Sequence, residues 1–171
     1  MDLKKFIRDI PDFPQKGVLF RDLTPLMGNF EAFNYAIESI ADHFRTFHID
    51  KVAAIEARGF IFGAPIAKEL KAGFVPIRKP GKLPFDVVRK EFQLEYGMSI
   101  LELHKDAFKK GERVLMIDDL LATGGTARAA SEIVESLGAE VVGWGFVVVL
   151  KNMKGEEKIG KYHIFSLVDF D

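Results

Sequence analysis

Residues 114–126 read Val-Leu-Met-Ile-Asp-Asp-Leu-Leu-Ala-Thr-Gly-Gly-Thr, and this stretch constrains the fold more than any other. The apolar run 114–117 suits a strand buried on both faces, as in parallel sheets covered by helices. It ends in two adjacent carboxylates, then a short Gly-rich loop with hydroxyls, then a helical pattern. That order places acceptors at the carboxyl end of a strand, where open α/β sheets bind ligands. The Thr123-Gly124-Gly125-Thr126 turn offers backbone N–H groups at a helix N-terminus, which is an anion site. Adjacent acids alone are often solvated loop, and Gly-Gly alone is often a turn. Together, in this order, they describe a pocket for a ribose 5-phosphate.

Strand and helix patterns alternate through most of the chain. Leu3, Phe6, Ile7 and Ile10 share one face of a short helix over residues 1–10, stopped by Pro11 and Pro14. Residues 20–25 carry no period and predict irregular chain. From Asn29, an N-cap residue type, Phe30, Phe33, Ile37, Ile40 and Phe44 recur at helical spacing and predict core positions. Residues 52–55, 74–77, 141–150 and 164–168 read as strands. Helices are expected over 60–70 and 125–137, the second ended by Gly138. Residues 79–91 hold Lys, Pro, Gly and Arg without a period and predict a long loop. Ile100, Glu102 and His104 alternate with Leu101 and Leu103, which predicts a half-exposed strand. The expected fold is α/β, a mostly parallel twisted sheet flanked by helices, in one domain spanning residues 1–171.

Composition excludes several function classes. Hydrophobic residues make up 48% and charged residues 29%, ordinary for a globular protein. The formal net charge of −1 provides no basic field for nucleic acid. The lack of cysteine excludes disulfides, thiolate chemistry and Cys-ligated metal. The first ten residues carry charges where a signal peptide needs an apolar core, and no apolar stretch reaches membrane-spanning length. The cytoplasm is the expected location, with no membrane partner. His43, His48, His104 and His163 lack zinc-site spacing. Gly81-Lys82 is followed by Leu83 rather than Ser or Thr, so the P-loop motif is absent. No Gly-x-Ser-x-Gly points to a hydrolase.

Further segments carry a resemblance. They are Pro-Asp-Phe-Pro at 11–14, Phe20-Arg21-Asp22, Ala57-Arg58-Gly59-Phe60, Arg78-Lys79-Pro80-Gly81-Lys82-Leu83-Pro84, Leu94-Glu95-Tyr96-Gly97 and the 118–126 element. In this order and spacing, over nearly the whole chain, they resemble the type I phosphoribosyltransferases. The 118–126 element marks the superfamily, and the 78–84 and 94–97 segments resemble its bacterial adenine branch. The resemblance implies the type I phosphoribosyltransferase fold, with a small base-binding hood over about residues 1–30 and a flexible catalytic loop. It implies adenine, phosphoribosyl pyrophosphate, AMP and diphosphate as ligands, Mg²⁺ carried by diphosphate rather than by protein side chains, and a homodimer.

The resemblance also distributes roles. Ala122, Thr123, Gly124, Gly125 and Thr126 would hold the 5′-phosphate. Asp118 and Asp119 would accept from the ribose 2′- and 3′-hydroxyls beside a cation-like C1. For Asp118 alone, a structural acid that orients the loop remains the other reading. Arg58 and Gly59 would receive diphosphate, at a strained turn with a cis non-proline bond before Arg58. Arg78, Lys79 and Lys82 would also meet diphosphate, with Arg78 reaching a neighbouring subunit's site. Glu95 would be the acid/base group near N9 and N3 of the base, with Tyr96 beside it. Leu19, Phe20, Arg21 and Leu150 would form the adenine pocket, Phe20 stacking on the base.

Three positions depart from that pattern. Phe92 stands where tyrosine is usual, Val149 where an acid is common, and Lys151 where a small polar residue is more usual. An ammonium at 151 could favour a 6-oxo purine, although the solvent-facing reading is preferred. The alternatives are therefore a hypoxanthine-guanine or xanthine phosphoribosyltransferase, or a non-catalytic regulator of the same fold. Lys79, Glu95 and Tyr96 favour an enzyme over a regulator.

Overall fold

The structure, a computed structural model, describes residues 1–94 and 97–171. Its centre is a five-stranded sheet formed by β3 (Lys51–Ile55), β4 (Gly73–Ile77), β7 (Arg113–Leu121), β8 (Glu140–Leu150) and β9 (His163–Phe170). The strand order is β4-β3-β7-β8-β9 and every pairing is parallel. Helices α2 (Phe30–Phe44) and α3 (Arg58–Leu70) cover one face, and α4 (Gly125–Ser136) covers the other.

The apolar run of β7 divides between two cores because successive side chains point to opposite faces. Val114 and Met116 pack with Ala130, Ile133 and Val134 of α4. Leu115 and Ile117 pack with Ile40, Phe44 and Phe62 of the other helix layer. The largest buried polar group is satisfied. The Trp144 indole N–H donates to Ser131 Oγ at 3.0 Å, and that hydroxyl donates to the Ala127 carbonyl at 3.0 Å.

The helix starting after Asn29 forms as the pattern requires, and Asn29 caps it by accepting from the Ala32 N–H at 2.9 Å. Phe30 is the exception among its apolar positions. It is 80% exposed, since its place at the helix N-terminus lies beyond the packed face.

Three sequence expectations are corrected. Only Leu3–Phe6 form a helical turn, of the 3-10 type; Arg8–Pro11 is instead strand β1, antiparallel to β2 (Leu19–Asp22). The segment expected to be irregular therefore holds β2 and a short helix α1 (Thr24–Met27). The expected loop 79–91 ends early, because Val87–Leu94 is strand β5, paired antiparallel with β6 (Gly97–His104). This hairpin sits on the α4 side, with Leu101 and Leu103 in the core. An isolated bridge between Arg78 and Glu102 ties it to the end of β4. No helix among the described residues is long and apolar enough to cross a membrane.

Pairing of β5 changes which cations are open to attack. Arg89 and Lys90 lie on β5 and pair with Glu102 at 2.6 Å and Glu132 at 2.7 Å. Lys82 lies in the loop before the strand. Limited trypsin digestion of the ligand-free protein should cut after Lys82 before it cuts after Arg89 or Lys90. Mass spectrometry of early fragments checks this, and equal early cutting at all three would show that β5 is not held.

Candidate active site

The chain runs from β3 outward to β4 on one side and later to β7 on the other. Loops leaving β3 and β7 therefore diverge, and open α/β sheets bind ligands in the crevice at such a switch point. A cavity of about 500 Å³ lies there. Glu56, Ala57 and Arg58 enter it after β3, and Asp118 and Asp119 enter it from the end of β7. The loop 122–126 forms another wall, and Lys79 and Phe92 also line it.

The loop 122–126 owes its shape to one residue. Gly124 has φ +78°, the left-handed region that favours glycine, and is the N-cap of α4. No side chain caps this helix, so its first N–H groups face the cavity as donors for an anion. Gly125 is different. A Cβ there would meet Leu94 Cδ2 at 3.5 Å, an ordinary contact, and its φ is not positive. The backbone requirement falls on Gly124.

The two acids are unequal. Asp119 is buried, and its Oδ2 lies 2.7 Å from Arg58 Nε. The Asp119 N–H donates to Asp118 Oδ1 at 2.9 Å. Burial first, and the neighbouring Asp119 charge next, raise the Asp118 carboxyl well above its ordinary value. Gly59 is buried where α3 meets β7, outside the cavity lining. A Cβ on it would come 3.0 Å from Asp118 Oδ1.

The cationic loop gathers around Glu56, a residue to which the sequence reading gave no role. Its carboxylate accepts from the Lys79 N–H and from Lys82 Nζ at 3.0 Å, and Arg78 Nε is 3.6 Å away. Burial raises this carboxyl, but the Lys79 amide, Lys82 and Arg78 outweigh burial and hold it below its ordinary value. Glu102 was also unassigned. It is 1% exposed, accepts from the Gly81 N–H at 3.1 Å and pairs with Arg89. The available signal was a set of acids flanking a Lys/Arg-rich loop. Lys79 lines the cavity, whereas Arg78 and Lys82 stand outside its lining, turned to Glu56.

The hood residues stand beside the cavity. The Arg58 guanidinium lies over the Phe20 ring at 5.4 Å, and Phe13 meets Phe20 edge-on at 5.1 Å. Leu19 is exposed, and Leu150 packs partly buried in the core. Arg21 pairs with Asp9 and lies over Phe170 at 3.8 Å. Val149 is a buried core residue. Lys151, expected to face solvent, is held by Glu156 at 2.8 Å and Asp169 at 3.3 Å. Glu95 and Tyr96 lie outside the described residues. The non-proline cis peptide joins Glu56 to Ala57, one bond earlier than the bond before Arg58.

Comparison with known proteins gives matches of sequence and fold over nearly the whole chain. The family profile of the phosphoribosyl transferase domain matches residues 30–171. An adenine phosphoribosyltransferase of Halothermothrix orenii is 52% identical over 98% of this chain and 99% of its own. The crystal structure of an adenine phosphoribosyltransferase from Thermoanaerobacter pseudethanolicus has a TM-score of 0.96 and 50% identity, covering 99% of this chain and 98% of that one. An APRTase from Giardia lamblia, complexed with 9-deazaadenine, has a TM-score of 0.94 and 36% identity, covering 99% and 97%.

Two predictions follow from the acids and the loop. The folded state holds the Asp118 proton more tightly than the unfolded chain. The stability this contributes is complete below the unfolded value of ~3.9 and is lost as pH rises through the raised folded value. Asp118→Asn keeps the shape and removes that titration. It should melt above the parent at neutral pH, with the gap closing in acid; calorimetry showing a constant gap would contradict this. Gly124→Ala forces a side chain into left-handed backbone, at ~1–2 kcal/mol, and brings a Cβ 2.5 Å from the Gly155 carbonyl oxygen. It should lower stability by at least that amount, while Gly125→Ala should not. Denaturant titration of both variants tests the contrast.

Proposed function

We propose that this chain, which belongs to the phosphoribosyl transferase family, forms AMP and diphosphate from adenine and phosphoribosyl pyrophosphate, a purine salvage reaction. One observation carries the reading. A single cavity gathers an uncapped helix N-terminus, two adjacent carboxylates and a guanidinium. These are the partners that a 5′-phosphate, a ribose diol and a diphosphate require.

In the transfer, N9 of adenine bonds to ribose C1 as the bond from C1 to the diphosphate oxygen breaks, and the N9 proton leaves to a base. C1 gains positive charge while the leaving group carries negative charge, so catalysis is mainly positioning and electrostatic stabilisation. The 5′-phosphate is anchored by backbone N–H groups and hydroxyls of residues 122–126. Asp118 and Asp119 accept from the ribose hydroxyls and face the cation-like ring. Arg58 and Lys79 receive diphosphate, joined by Lys82 and Arg78 when these leave Glu56. Glu95 handles the base proton with Tyr96 beside it, an assignment that rests on the sequence resemblance. The hood over residues 1–30 covers the base through Phe20, with main chain at Leu19 and Arg21 and the side chain of Leu150 completing the pocket. The Giardia lamblia neighbour is complexed with 9-deazaadenine, a purine analogue, which supports a purine as the base.

Mg²⁺ fits this donor set as a companion of the substrate. Of the cavity's acids, Glu56 is engaged by the loop cations and Asp119 Oδ2 by Arg58 at 2.7 Å, which leaves Asp118 as the hard oxygen donor not held by a cation. In this reading the diphosphate would carry the ion, as the sequence resemblance implies. When bound, it neutralises phosphate charge and aids departure of the leaving group. The working form is a cytoplasmic homodimer. Exposed Ile61 on α3 and Phe74 on the β4 edge supply apolar surface for it, and Arg78 lies at that edge.

Base choice rests on the hood main chain around Leu19 to Arg21, and Lys151 is the residue that could alter it. Its ammonium is engaged first by the Glu156 hydrogen bond and also by Asp169, and both raise its pKa. It is thus paired instead of being offered to a 6-oxo group. A site that matches adenine's N1 acceptor and C6 amine leaves a 6-oxo purine with unpaired groups, a mismatch worth ~10⁴-fold. Steady-state assay with adenine, hypoxanthine, guanine and xanthine should give a preference of that order for adenine. Lys151→Thr should leave the ratio unchanged. Substantial hypoxanthine turnover, lost on Lys151→Thr, would overturn the choice of adenine.

A further inference from the structure

Gly155 opens the short helix α5 (Gly155–Lys158) and is buried against the loop 122–126. A Cβ on Gly155 would overlap the Ala122 carbonyl oxygen and lie 2.9 Å from the Gly124 nitrogen. In return, a Cβ on Gly124 would lie 2.5 Å from the Gly155 carbonyl oxygen. Two stretches of backbone therefore rest on each other with no room for a side chain on either. Gly155 is not among the residues of positive φ, so its conformation does not demand glycine; the contact does.

The turn carrying Gly155 is itself anchored. Lys151 Nζ reaches both carboxylate oxygens of Glu156, at 2.8 and 2.9 Å, and Asp169 of β9 at 3.3 Å. The Lys154 N–H closes the turn on the Lys151 carbonyl at 3.1 Å. A cation that looked like a candidate reader of the base thus fastens one strand end and one short helix together. The surface they present is the one on which the phosphate loop lies.

Backbone N–H groups grip a phosphate only when the loop is held within a fraction of an ångström, and the α4 N-terminus has no side-chain cap to hold it. We propose that Gly155 is a positioning residue for the 5′-phosphate site. In this role the 151–158 turn, fastened by Lys151, Glu156 and Asp169, is the buttress that fixes Ala122 and Gly124. The inference rests on the reading of residues 122–126 as the phosphate loop.

Calorimetric titration separates the alternatives. AMP carries the 5′-phosphate, whereas Mg²⁺-diphosphate addresses Arg58 and Lys79, away from the buttress. Gly155→Ala should raise the Kd for AMP by ~10²-fold, the cost of a displacement near 1 Å. Its Kd for Mg²⁺-diphosphate should stay at the parent value, and KM for phosphoribosyl pyrophosphate should rise more than kcat falls. A folded variant with unchanged AMP affinity overturns the proposal. So does an equal loss for both ligands, which would mark general damage. Should Gly155→Ala not fold, Glu156→Gln loosens the anchor instead. It should weaken AMP by about two- to fivefold, the worth of a partly exposed ion pair, with diphosphate unaffected; no change in AMP affinity overturns the proposal equally. A parent protein that binds diphosphate but not AMP would instead refute the phosphate-loop reading.

Discussion

Two adjacent carboxylates at the end of a central strand set the terms for the rest of this site. Asp118 and Asp119 stand on β7, which has a strand paired on each side. Holding two such acids together out of water is costly unless they are countered. Arg58 answers Asp119, and one backbone N–H answers Asp118. The raised proton affinity of Asp118 shows that the compensation is incomplete. On the proposed reading, a cation-like ribose or a metal ion carried by diphosphate would bring positive charge to this pair. The strand order makes the arrangement possible, since only diverging loops leave a crevice open above the acids.

The cationic side of the cavity is the counterpart. Arg78, Lys79 and Lys82 would repel one another if gathered without an anion. Glu56 lets them gather, with Lys82 at 3.0 Å and Arg78 at 3.6 Å. Glu102 does similar work one layer deeper, on the Gly81 amide and Arg89. On the proposed reading, diphosphate would exchange with one anion, Glu56, at a loop already in place. Less ordering has to be supplied at the moment of binding than for a loose loop.

How much of this was legible depends on where the physics was local. The β7–loop–α4 element was readable because a buried strand, two acids and a Gly-Gly turn each leave a strong local mark. Asn29 was readable for the same reason, since an N-cap acts within one turn. The N-terminal ribbon was not, because Leu3, Phe6, Ile7 and Ile10 fit a helical face equally well. Its strand exists only through pairing with residues 19–22. The β5 strand was hidden too. Charges stand on both its faces, Arg89 outward and Lys90 beside Val88 and Phe92, and they find their partners far away in sequence, Glu102 and Glu132. No local period could reveal that. Phe30 failed in the other direction, since apolar spacing continued past the edge of the surface that covers it.

Lys151 shows why residue type alone misleads at such a site. Read as a charge, it was a possible donor to a 6-oxo purine or a solvated side chain. In the fold it stays partly exposed, and Glu156 and Asp169 pair its ammonium and hold its proton more firmly. Those carboxylates fix the direction in which the turn leaves β8, and the turn brings Gly155 under Ala122 and Gly124. In the proposed role, the bonds from Lys151 to Glu156 and Asp169 support the loop 122–126 that the 5′-phosphate would need.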